Sequence, residues 1–224
     1  MKKITLVLGA LSLAAMLTSS FTAATNNAAG TTIAPAVAET TLLVNTQNST
    51  LKWNAKKVGG EHYGTINLAD GSLQVNGSKL TGGTFTIAMG SIVVKDITRP
   101  DSNKKLTDHL KSDDFFAVEK HPEATFTITK AAKLAKPKAG EPNYNITGNL
   151  TIKGITNPIT FPATVTINGK AAEATALVEV DRTKYDIKYR SGMMGTAADK
   201  VIYDTFTIDL KLVAEAGTKT LGTK

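Results

Sequence analysis

Between Asn145 and Asn168 the chain reads NITGNLTIKGITNPITFPATVTIN, and the alternation in this stretch constrains the fold more than any other feature. Ile146, Gly148, Leu150 and Ile152 fall on one side, with Thr147, Asn149, Thr151 and Lys153 on the other. After a break, Ile159, Phe161, Ala163, Val165 and Ile167 alternate with Thr160, Pro162, Thr164 and Thr166. Successive side chains of a strand point to opposite faces, so a period of two means two strands with one dry and one wet face. Gly154 to Pro158 (GITNP) carries turn chemistry between them and predicts an antiparallel hairpin.

Much of the remaining chain repeats this element. Leu42 to Asn45 begins a first strand that Thr50 to Lys56 continues, with Leu51, Trp53 and Ala55 on one face. Tyr63 to Leu68 reads as a strand, Ala69-Asp70-Gly71 as a hairpin turn, and Ser72 to Val75 as the return. In Thr84 to Val94 the pair Gly90-Ser91 breaks the parity, which marks a bulge or bend. Ala124 to Thr129, Ala174 to Val180, Tyr185 to Tyr189 and Val201 to Val213 alternate again, with Asp204 interrupting the last. Lys133 to Pro142 is a polar hairpin tip, and Ser191 to Lys200 (SGMMGTAADK) a long flexible loop. The exception is Lys95 to His121. There Asp101-Ser102 offers a helix cap, Leu106 and Leu110 share one face of a short helix, and Ser112 to Phe116 forms a turn that aims two aromatics inward. Asp113-Asp114 reads as a pair of helix-start charges. About eight short strands with one helical excursion predict an all-β fold, an antiparallel barrel or sandwich. Gly148, Ala163, Ala174 and Ala176 sit on apolar faces where a filled core wants larger side chains, which leans towards a hollow interior.

The ends of the chain read differently. Met1-Lys2-Lys3, the apolar run Ile4–Leu17 and the small residues after it have the form of a secretory signal peptide over residues 1–24. The apolar run is too short for a membrane span. Residues 25–41 read as a flexible linker, 42–214 as one barrel domain and 215–224 as a disordered tail. The expectation is a soluble, exported protein without a permanent membrane anchor. There is no cysteine, so neither a disulfide framework nor a lipoprotein anchor can form. The formal net charge is +7, but its cations are interleaved with acids, as between Lys95 and Lys111. Such a surface argues against nucleic acid as a partner, which needs a one-sided basic stripe.

Four blocks taken together are specific: HYGTINLADGSLQV, LKSDDFFAVEKHPEATFTI, YNITGNLTIKGITNPITFPA and VDRTKYDIKYRSG. In this order and spacing the chain resembles the YceI-like family of polyisoprenoid-binding proteins over roughly residues 42–213. The resemblance implies an extended eight-stranded antiparallel, lipocalin-like barrel carrying a helix. It also implies non-catalytic binding of a long isoprenoid or similar amphiphile, such as a quinone or polyprenyl phosphate, in the periplasm. No cofactor is expected, and the residues leave room for a homodimer without specifying one.

A hydrocarbon tail gains about 0.8 kcal/mol per buried CH₂, so it needs a continuous apolar tunnel with a few polar groups at one end. The tunnel candidates are Phe85, Ile87, Met89, Phe126, Ile128, Gly148, Leu150, Ile152, Phe161, Ala163, Val178 and Phe206. Arg182 leads the candidates for a polar head, since its guanidinium can fork onto phosphate or carbonyl oxygens, with Tyr185 and His62 behind it. A structural ion pair of Arg182 with Asp181 or Asp186 is the competing reading. Trp53, the only tryptophan, reads as a core or barrel-end plug. His62, His109 and His121 are too scattered for a metal motif, and no Gly-x-Ser-x-Gly or Gly-rich phosphate loop is present. Two rival functions remain at this level. One is a hydrolase or isomerase built on His62, Asp96 and Arg182; the other is a ligand-free structural or stress module with a packed interior.

Overall fold

The computed structural model describes residues 39–217. The expected signal peptide, most of the linker and the last seven residues lie outside them. Nine strands form one antiparallel sheet: β1 Glu39–Val44, β2 Thr50–Lys57, β3 Gly60–Asn76, β4 Lys79–Val94, β5 Glu123–Lys133, β6 Tyr144–Ile152, β7 Ile155–Asn168, β8 Ala171–Asp181 and β9 Ile202–Glu215. Each strand from β3 to β9 pairs with the next, β2 bridges β3 and β9, and the sheet closes. β1 pairs with both β3 and β9 as well, beyond the end of β2. The two therefore share one position, and the barrel has eight. Closure removes the unpaired edges an open sheet would expose.

Two boundaries differ from expectation. β1 starts at Glu39 inside the expected linker, because Glu39 to Leu43 pair with Asn76 to Ser72. β9 runs into the expected tail, where Glu215 pairs with Leu43 and Ala171. The Asp70-Gly71 turn is also overturned. β3 runs through it, with a register shift against β4 between Leu68 and Asp70. Gly71 is needed there for space: a Cβ would lie 3.0 Å from both Phe85 and Val44. The Gly90-Ser91 bulge holds as read, since Asn67 and Gly64 pair with Ala88 and Val94 but only Thr65 pairs in between, with Val93. Ser91 Oγ stitches it, accepting from Asn67 N at 2.8 Å and donating to Ala88 O at 2.6 Å.

The β6–β7 hairpin has the predicted faces but a tighter turn. Ile152 pairs with Ile155, so Lys153-Gly154 alone makes the turn, both with positive φ (52° and 74°). Two left-handed residues match the twist of a hairpin, which is why Thr156 to Pro158 are free to join the strand. Pro158 and Pro162 lie in the part of β7 that β8 does not reach, since that ladder covers only Thr164 to Asn168. Missing N–H groups cost no ladder bond there.

Helix α1, Pro100–Lys111, follows β4. Its cap is Arg99, without a side-chain hydrogen bond, and Pro100 opens the first turn, so the expected Asp101-Ser102 cap lies within that first turn. Asn103 Nδ2 donates to Val94 O and Ile97 O, which holds the helix against the end of β4. Asp113 and Asp114 come after the helix and cannot be helix-start charges. Asp113 accepts from Lys120 Nζ at 2.7 Å, and Asp114 lies 2.9 Å from His109 Nε2. Phe115, by contrast, turns inward and is buried, as the sequence led us to expect.

Candidate functional site

The interior is not filled. An apolar cavity of about 210 Å³ occupies the barrel, roughly fifteen times what one water requires. Its wall is made of aliphatic and aromatic side chains, with Arg182, Tyr203 and Trp53 the only residues on it that carry a polar atom in the side chain. Among the twelve tunnel candidates, Phe85, Ile87, Met89, Phe126, Ile128 and Leu150 line it. So do Ile152, Phe161, Ala163, Val178 and Phe206. Ala174 and Ala176 join them from β8.

Gly148 does not line the cavity and is a correction. The place of its missing Cβ is taken by the Phe126 ring, which would be 2.4 Å away. Gly148 therefore makes room for an aromatic instead of leaving a void. Phe126 in turn sits between Phe85 and Phe161, with ring centroids 6.3 and 5.6 Å away, and these three rings form one side of the wall.

The two ends of the cavity differ. Leu42, Val75, Tyr144, Ala172 and Ala214 are at most 2% exposed and pack a floor beneath it. At the other end α1 and the turn after it lay Leu110, Phe115 and Phe116 over the mouth. Phe116 meets Phe206 edge-on at 6.4 Å, while His109 packs edge-on against both Phe115 and Tyr189. A small annex at this end is lined by Trp53, Lys56, Lys57, His62, Leu106 and Ile202, among others. The sequence signals for the lid were the Phe115-Phe116 pair and the Leu106/Leu110 helix face; the alternation of the last strand gave Ile202 a face but not a place at the mouth.

The polar candidates separate. Arg182 reaches the cavity wall but is only 4% exposed, and its donors are committed. Nε donates to Tyr203 O, one terminal nitrogen to Ile187 O, and the other to Ile202 O and to Asp204 Oδ1 at 3.3 Å. Burial pulls the guanidinium below its usual range, against the pull of Asp204 and then Asp181. This is a clasp joining the β8–β9 connection to β9, and its acid partner is Asp204, not Asp181 or Asp186. Asp181 instead accepts from the backbone N–H and hydroxyl of Thr183.

Tyr185 is 1% exposed and does not line the cavity; burial pushes its hydroxyl up to about 12. Its hydroxyl and Trp53 Nε1 are buried without a protein hydrogen-bond partner. His62 stands at the annex, with Nδ1 2.7 Å from Asp96 Oδ2. Burial would raise the Asp96 carboxyl, but hydrogen bonds from His62 and Tyr63 N outweigh it and hold the group below its ordinary range. The structure thus brings His62 and Asp96 together and ties Arg182 to a different acid.

The YceI-like domain model matches residues 43–214, nearly all of the described chain. The chain belongs to the YceI-like family. A UPF0312 protein of Pectobacterium carotovorum is 32% identical over 118 residues, 52% of this chain and 56% of that protein. A UPF0312 protein of Vibrio campbellii is 43% identical over 72 residues, 32% of this chain and 35% of that one. The YceI-like chain thus spans about half, or less, of the length of these curated relatives. Among solved structures, BcnA of Burkholderia cenocepacia superposes with a TM-score of 0.60 at 24% identity, covering 76% of this chain and 99% of BcnA. A polyisoprenoid-binding domain from Saccharophagus degradans gives 0.54 at 14% identity, covering 79% and 98%. Both likenesses concern the fold alone.

Proposed function

We propose that this protein binds a long isoprenoid-type lipid in its barrel and carries or stores it without chemical change. The observation that carries this reading is the state of the inward face of β9. Phe206, Ile208 and Leu210 line the interior and yet remain only half-buried, because the surface they leave open faces the cavity. Unfilled apolar surface loses packing contacts, and a hydrocarbon chain restores them at about 0.8 kcal/mol per CH₂. The packed floor and aromatic lid fit a tail-first occupant whose polar end stays near the annex. The binding named for the Saccharophagus degradans domain supports the same class of ligand. A quinone or a polyprenyl phosphate fits this description, and the periplasm is the compartment the leader-like residues 1–24 would select. No helix among the described residues is long and apolar enough to cross a membrane.

The test uses Trp53, which lines the cavity and is the sole tryptophan. Its fluorescence is followed while delipidated protein is titrated with isoprenoid alcohols of increasing length. Saturable binding near one per chain, tightening with length, is the expected result. Absence of saturable binding at every length would refute the proposal.

A further inference from the structure

We infer that the lid end of the barrel docks on the surface of an anionic lipid bilayer, through Met193 and Met194 set among exposed lysines. The inference rests on the proposed lipid cargo for its purpose, but its geometry stands separately. Met193 and Met194 are 74% and 62% exposed, the two most exposed large apolar side chains among the described residues. They are not on a frayed loop. Ser191, fully buried, anchors the turn: its Oγ accepts from Met193 N, and its carbonyl from Met194 N and the Thr196 hydroxyl. Gly195, with φ at 70°, closes the turn. The chain thus spends hydrogen bonds on holding two methionines out in water, where unbranched apolar side chains have no packing role.

The hairpin tip between β2 and β3 is tied to the same surface. Val58 N donates to Val201 O, Ile202 N donates to Arg190 O, and Lys57 pairs with Ile202. Val58, 42% exposed, adds to the apolar patch. Around it Lys56, Lys57, Lys184, Lys188, Arg190 and Lys200 are exposed, against the exposed acids Glu61, Asp186 and Asp199. Asp186 is spent on Lys188 at 2.8 Å, while Lys57 and Lys200 have no acidic partner within 4 Å among the described residues. Apolar side chains ringed by cations suit an interface of acyl chains under anionic head groups. A protein interface is depleted of lysine, whereas here lysines make up most of the ring.

The patch adjoins the way in. Ile202 lines both the cavity and the annex, Lys56 and Lys57 line the annex, and Tyr203 lines the cavity while 51% exposed. A lipid leaving a bilayer against this face would reach the interior without crossing bulk water.

The test is flotation of the protein, purified from the cells that make it, with vesicles of phosphatidylethanolamine and phosphatidylglycerol or of phosphatidylcholine alone. Binding to the anionic vesicles is expected to exceed binding to the neutral ones and to fall with salt. The paired change Met193→Ser, Met194→Ser should remove most of it. Lys200→Gln, at a residue that lines neither the cavity nor the annex, should weaken it about fivefold. In the same samples geranylgeraniol binding, read from Trp53 fluorescence, should be unchanged in every variant. Equal binding to both vesicle types, or unaltered flotation of the methionine variant, would overturn the inference. So would a parent dimer that the methionine change dissociates, since the patch would then be a self-association face. If geranylgeraniol fails to bind the parent while flotation behaves as described, the cargo reading falls and the docking surface stands.

Discussion

The two ends of this barrel are built on different principles. At the floor, Leu42, Val75, Tyr144, Ala172 and Ala214 are packed almost out of contact with solvent, and short connections such as Gly77-Ser78 and Gly169-Lys170 join the strands. At the lid, connections of 28 and 20 residues join β4 to β5 and β8 to β9, and they deliver a helix, three 3₁₀ turns, an aromatic cover and a buried arginine. The floor closes the cavity by local strand chemistry. The lid is held by contacts between residues far apart in the chain, and it leaves space. One end is packed shut, while the other borders the open interior.

Arg182 gives the largest expected departure from that division, because here a lid residue is also a structural clasp. Arg182→Met leaves three carbonyls and Asp204 without their donor. It should lower stability by about 3 kcal/mol in urea denaturation. A change below about 1 kcal/mol would mean that the connection does not depend on the clasp. Leu42→Ala, at the floor, should cost about 2–4 kcal/mol by creating a hole in a packed layer. Its lipid affinity, compared below the onset of unfolding, should stay at the parent value. If affinity falls with stability, the floor is not separate from the site.

Ala176→Phe runs the other way. It fills the cavity from β8, so isoprenoid binding should weaken about tenfold or more, while stability moves by no more than about 1–2 kcal/mol. Equal loss of both would erase the contrast between the ends. The smallest effect concerns pH. Asp96 is held below its ordinary 3.8, so its share of stability is present above that value and is lost as pH falls through the lower folded-state pKa. Acid denaturation of Asp96→Asn, monitored below pH 4, should be shallower than that of the parent. The same slope in both would show that His62 and Tyr63 do not stabilise the carboxylate.

The same division explains what the sequence made legible. Alternation is a local property, so the walls were readable: β6 and β7 carry the faces their residues announce, and Gly90-Ser91 marks a true bulge. Turn signals were less reliable where tertiary packing overrides them. Asp70-Gly71 has hairpin chemistry, but β4 pairs with the strand on both sides of it, β1 pairs with it from Ser72 onward, and Gly71 fits beneath Phe85 and Val44. Periodicity also assigns a face without saying what meets it. Ala163 and Ala176 border space, whereas Gly148 on the same kind of face is filled by Phe126. Arg182 looked like a ligand arginine because its type and strand-end position suit one. Its acceptors come from Ile187 and from residues 202–204, and no local pattern ties them to it.

The central claim is that the hollow interior exists to hold a lipid. Native mass spectrometry of the protein isolated without detergent from the cells that make it addresses this most directly. The account predicts a population heavier than the bare chain by one lipid, released by organic solvent and absent from Ala176→Phe. Bare chain alone in the parent, under conditions that preserve non-covalent adducts, would contradict it.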